Sequence, residues 1–83
     1  MRCAIWIVGA APSIPPKVRE RSLGRYVKSM DAQKGTMELC DLPREALHFS
    51  APGPAMRAWK EKLPNGELNE LATKWSAQVI TIV

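Results

Sequence analysis

The chain has 83 residues, of which 46% are hydrophobic and 24% charged, and its formal net charge is +4. A chain of this size holds one hydrophobic core, and its composition is that of a folded globular domain, not of a disordered segment. The longest apolar run, Cys3 to Pro12, is well short of the roughly 20 residues that a membrane-spanning helix needs, and the two cysteines are too few for a disulfide-built scaffold.

The charge is unevenly placed. Lys17 to Lys28 holds five basic residues against Glu20, whereas the rest of the chain carries seven basic and seven acidic residues. The expectation is a soluble, cytoplasmic, basic single domain with reduced thiols and no membrane partner. A secretory signal is the poorer reading of the segment after Arg2, because signals run to about 15 to 30 residues and cleavage here would delete a core strand.

In chain order, Cys3-Ala4-Ile5-Trp6-Ile7-Val8 is a β-branched and aromatic run closed by Gly9 and Pro12, which predicts a buried strand. Pro15 and Pro16 suit the opening of a helix, where backbone donors are not needed. Leu23, Tyr26, Val27 and Met30 then follow the i, i+3, i+4, i+7 spacing of one helical face, with Lys17, Arg21, Arg25 and Lys28 on the opposite face. This predicts a basic amphipathic helix, weakened at Gly24 and ended at Gly35. Thr36 to Asp41 reads as a strand, Leu42-Pro43-Arg44 as a turn, and Glu45 to Ser50 as a further strand. After the break at Pro52-Gly53-Pro54, Met56, Trp59 and Leu63 mark a second helix, which stops at Pro64-Asn65-Gly66. Leu68, Leu71, Ala72 and Trp75 mark a short helical extension, and Gln78 to Val83 reads as a central strand. The predicted class is therefore α+β, with the βαββαβ order of a ferredoxin-like sandwich: a four-stranded antiparallel sheet, two main helices and a short helical extension before the last strand.

With that order the chain resembles an RNA-recognition-motif domain. Ile5-Trp6-Ile7-Val8-Gly9 resembles the first-strand motif of that family, and Leu23-Gly24-Arg25-Tyr26-Val27 resembles its first helix. Glu45-Ala46-Leu47-His48-Phe49, followed by Pro54-Ala55-Met56-Arg57-Ala58-Trp59, is similar to its third strand and second helix, and Leu63-Pro64-Asn65-Gly66-Glu67-Leu68 to the segment that ends that helix. The resemblance implies a sheet face on which exposed aromatics stack bases beside phosphate-holding cations. Trp6 matches the first-strand aromatic. The third-strand positions that should carry aromatics hold Arg44 and Ala46, and Phe49 matches a core position. The resemblance therefore bears more on fold than on function.

The candidate binding residues are Trp6, Lys17, Arg21, Arg25, Lys28 and Arg44. Most of these have a plainer explanation: Lys17, Arg21, Arg25 and Lys28 form a solvated helix face, and Trp6 is core if it points toward the helices. Strand alternation sets Ala4, Trp6 and Val8 on one face and Cys3, Ile5 and Ile7 on the other, the branched pair marking the core side. Trp59 and Trp75 read as core. His48 and Cys40 do not make a zinc site, Cys3 and Cys40 fall on nonadjacent strands too far apart to bridge, and neither has redox-motif spacing. No triad, no glycine-rich phosphate loop and no cofactor motif is present, and the arginine-bearing first loop of acylphosphatases, which share this strand order, has no match in Ala10 to Lys17. The expected function is a non-enzymatic, cofactor-free module that binds a protein partner through its sheet face or edge, as an adaptor or inhibitor. The alternative is single-stranded RNA or DNA binding by the basic stripe and Trp6. Homodimerisation through an edge strand stays open on the sequence alone.

Overall fold

The computed structural model describes residues 2–82. Along the chain run β1 (Arg2–Ala10), α1 (Pro16–Ser22), β2 (Tyr26–Asp31), β3 (Thr36–Cys40), a 3-10 turn at Pro43–Glu45, α2 (Pro52–Trp59), α3 (Glu70–Lys74) and β4 (Trp75–Ile82). Every strand pairing is antiparallel and the spatial order is β3-β2-β1-β4, which makes an α+β domain with an open four-stranded sheet.

The first predicted helix divides into two elements. It stops at Ser22, whose hydroxyl donates to Val18 O at 2.7 Å, while Leu23 is extended and Gly24 takes a φ of +78°. That left-handed conformation is cheap only for glycine, and it turns the chain back along β1. Gly24 N then donates to Ile7 O and Ile7 N to Arg25 O, so the residues that follow form β2. Tyr26, Val27 and Met30 thus satisfy a strand, with a bulge between Val27 and Ser29 that reconciles their spacing with sheet geometry. The basic stripe is accordingly not one helical face: Lys17 and Arg21 are on α1, Arg25 precedes β2, and Lys28 lies at the bulge.

The predicted third strand is also different. Glu45 to Ser50 contains the end of the 3-10 turn and one isolated bridge, Cys3 with Phe49. Its backbone fills the gap that opens where β2 leaves β1 after the Trp6–Tyr26 pair. Leu47 N donates to Val27 O at 2.9 Å, and Phe49 exchanges hydrogen bonds with Cys3 at 2.8 Å each way. β4, expected to be central, is an edge strand, and β1 takes the centre. Both faces of β4 find cover at the edge: Ala77 and Val79 pack into the helix-side core, and Ile80 and Ile82 pack against the cluster of Ala4, Cys40 and Ala46.

All three helices contribute to one face. Ile5, Ile7, Val27, Ala55, Trp59, Leu71 and Trp75 form its buried core, with Ile14 and Val18 from the α1 side and Phe49 packed against it. Asn69, fully buried, welds the helical layer. Its Oδ1 accepts from Ala72 N at 3.1 Å as the N-cap of α3, and its Nδ2 donates to Trp59 O at 2.9 Å and Glu61 O at 2.7 Å. One amide thus satisfies the free end of α2 and the start of α3 together. The β2–β3 turn is tied to the same layer by Gln33 Nε2, which donates to Glu61 Oε2 at 2.9 Å.

Candidate functional site

Strand register decides which side chains share the face that the helices leave uncovered. Trp6 is paired with Tyr26 on one side and Gln78 on the other, Tyr26 is paired with Cys40, and Ala4 with Ile80. Because Ile5, Ile7 and Val27 face the helices, alternation puts Ala4, Trp6, Tyr26, Cys40, Gln78, Ile80 and Ile82 on the open face. Its lower part is closed by the 3-10 turn: Ala4, Cys40 and Ala46 are buried together, with Tyr26, Ile80 and Ile82 partly buried around them. Higher up, no described residue covers it. Trp6 and Tyr26 are half-buried, Gln78 is exposed, and Val8, which sits opposite no residue of β4 because of a bulge, is 37% exposed.

Trp6 and Tyr26 are therefore direct cross-strand neighbours, the separation at which aromatic rings contact. Tyr26 was not among the residues singled out from sequence. Reading it into a helix paired it with Leu23 and Met30 as core. The signal that finds it is Gly24 followed by Arg25-Tyr26-Val27-Lys28-Ser29-Met30, an alternating run after a residue suited to a reversal.

The other candidate residues are dispersed. Lys17 and Arg21 are exposed on α1, on the helix side of the sheet. Arg25 is engaged: its Nε donates to Asp41 Oδ1 at 2.8 Å and its Nη1 to Arg21 O at 3.4 Å. Lys28 is exposed at the bulge and Arg44 is exposed in the 3-10 turn. Ala46, expected to be exposed in a third strand, is instead buried against Ala4 and Cys40. Trp6, Lys28 and Arg44 thus surround the open face or its rim, whereas Lys17, Arg21 and Arg25 belong to the neighbourhood of α1.

Burial pushes the Cys40 thiol up from its ordinary value, and the nearby Glu45 carboxylate adds to the effect, outweighing the Leu42 carbonyl hydrogen bond and the Lys28 and Arg25 charges. Cys40 is therefore a packed, protonated thiol and not an activated nucleophile. Cys3 and Cys40 are both free, separated by β2 and turned to opposite faces. His48 Nε2 lies 2.9 Å from Pro43 O; a carbonyl only accepts, so the proton is on Nε2 and the ring braces the 3-10 turn. Among the described residues no group of three or more His, Cys, Asp or Glu side chains converges on a metal-sized site, and no helix is long and apolar enough to cross a membrane. A shallow depression of about 370 Å³ lies on the β2–β3 hairpin between Ser29, Asp31, Thr36 and Glu38, beyond the Trp6–Tyr26 pair toward the turn.

Comparison of the chain with protein-family models, curated proteins and solved structures finds no match.

Proposed function

We propose that this chain is a non-catalytic interaction module that binds a protein partner through the open face of its sheet, centred on Trp6. The observation that carries the reading is the half-buried strip of Trp6, Tyr26, Ile80 and Ile82, with Val8 exposed beside it, on the face opposite the three described helices. A large aromatic left partly in water gains most when a partner completes its burial, and interface hot spots are enriched in such residues. The aliphatic residues around it favour a protein surface over a polyanion. The scaffold shares with the ferredoxin-like class an antiparallel four-stranded sheet with one face open, and the module acts without a cofactor.

A second reading has one observation in its favour. The Trp6–Tyr26 pair offers two adjacent aromatic faces where the sequence promised one, with Lys28 and Arg44 at its rim, which is the kind of platform on which single-stranded RNA stacks.

The two separate in paired experiments. Affinity capture with the intact chain, Trp6→Ala and the double variant Lys17→Glu/Arg21→Glu is expected to lose its partner only with Trp6→Ala. Titration with oligouridylate at two salt concentrations, following tryptophan emission, is expected to leave emission unchanged. Salt-sensitive quenching that Tyr26→Ala abolishes would overturn the protein reading in favour of RNA.

A further inference from the structure

The two edges of the sheet are built differently. β3 has five residues with Glu38 at its centre, and it is flanked by Lys34 and Asp41. β4 has eight, Trp-Ser-Ala-Gln-Val-Ile-Thr-Ile, with no charge, proline or glycine. Proteins that keep an edge single blunt it with charge, proline, brevity or a bulge. β3 has brevity and charge; β4 has none of these on its own strand, since the irregularity in its pairing falls at Val8 of β1.

The direction of the main-chain groups of β4 follows from β1. Cys3 exchanges hydrogen bonds with Phe49, and Ile7 with Arg25 and Gly24, so both turn their N–H and C=O away from β4. Arg2, Ala4 and Trp6 therefore turn theirs toward it, to Ile82, Ile80 and Gln78. Ala77, Val79 and Thr81 are left facing outward, and among the described residues none of them has another main-chain or side-chain hydrogen bond that would occupy this edge.

We propose that β4 pairs antiparallel with β4 of a second copy of this chain, about a two-fold axis near Gln78 and Val79. A strand without charges is complementary to itself: no like charges meet, and the outward amides and carbonyls of one copy match those of the other. A charged partner strand would find nothing on β4 to pair with. The axis runs perpendicular to the sheet, so the helices of both copies lie on one side and both Trp6 residues on the other. The dimer stands independently of what binds at Trp6.

Analytical ultracentrifugation over a concentration series tests this, with amide exchange as its residue-level readout. The intact chain is expected to dimerise, with the Ala77, Val79 and Thr81 amides becoming protected as the dimer fills, while Gln78 and Ile80 are protected throughout. Thr81→Pro removes an outward donor without touching the bonds to β1 and is expected to weaken self-association at least about tenfold, whereas Thr81→Val, which keeps the N–H, changes it less than about threefold. Gln78→Lys, on an exposed side chain beside the axis, is expected to weaken it similarly to Thr81→Pro and decides the matter should Thr81→Pro not fold. A monomer whose three outward amides exchange fast at the highest concentration overturns the proposal and leaves the edge to a different chain. A dimer that survives Gln78→Lys with those amides still exchanging fast overturns it too, because the copies then meet elsewhere.

Discussion

The two faces of β1 carry similar residue types and very different environments. Ile5 and Ile7 are 1% and 0% exposed in the core they share with Trp59 and Trp75, whereas Trp6 and Val8, their immediate neighbours, remain partly in water. Apolar character in a strand therefore says that a face can be buried, not that this chain buries it. What decides is where the helices lie, and here all three cover the same side. The helix-covered face carries the larger buried cluster, and the open face carries large apolar side chains that stay partly in water.

The sharpest way to break that contrast is to truncate one tryptophan on each side. Trp59→Ala, which empties the centre of the helix-side core, is expected to cost about 3–5 kcal/mol and lower the unfolding midpoint strongly in denaturant titration. Asn69→Ala comes next. It strands the Trp59 carbonyl in a buried site, frees the part-buried carbonyl of Glu61 and removes the cap of α3, for an expected loss of about 2–3 kcal/mol by the same measurement. Trp6→Ala should cost only about 1 kcal/mol of stability while abolishing partner capture. Equal destabilisation by Trp6→Ala and Trp59→Ala would erase the distinction between the faces.

Two smaller effects sharpen it. The Cys40 thiol has a raised pKa in the folded state, so its contribution to stability is intact below the ordinary thiol value of 9.0. As pH rises past that value the unfolded chain ionises first and stability falls, until the folded-state pKa is passed. Thermal melts between neutral pH and pH values above 9.0 should show this decline, and Cys40→Ala should remove that part of it. Asp41→Ala, which breaks the exposed pair with Arg25, is expected to cost less than about 1 kcal/mol and to matter less still at high salt.

Much of the architecture was legible where local chemistry and tertiary context agree. β1 reads directly from its β-branched run, α2 from Met56 and Trp59 after a proline break, and the inward face of β1 from simple alternation. Asn69 ahead of Glu70 was a readable cap that the apolar periodicity alone passes over. The segment from Leu23 to Met30 went astray because its apolar spacing fits a helical face, while a bulged strand presents nearly the same residues inward. The positive φ at Gly24 settles the competition, and a sequence marks only that glycine permits it. Tyr26 was lost from the candidate surface by that same step, and the cationic stripe was an artefact of it.

The residue order by itself determined the class, α+β with an apolar first strand and a proline break before α2, because composition, alternation and turn residues act over short distances. The tertiary structure alone decided that β2 lies beside β1, that residues 47–49 fill the gap between them, that β4 ends the sheet, and that Trp6 meets Tyr26 on an uncovered face. Those facts depend on which surfaces pack against which, and packing partners far apart in the chain leave no local mark in it.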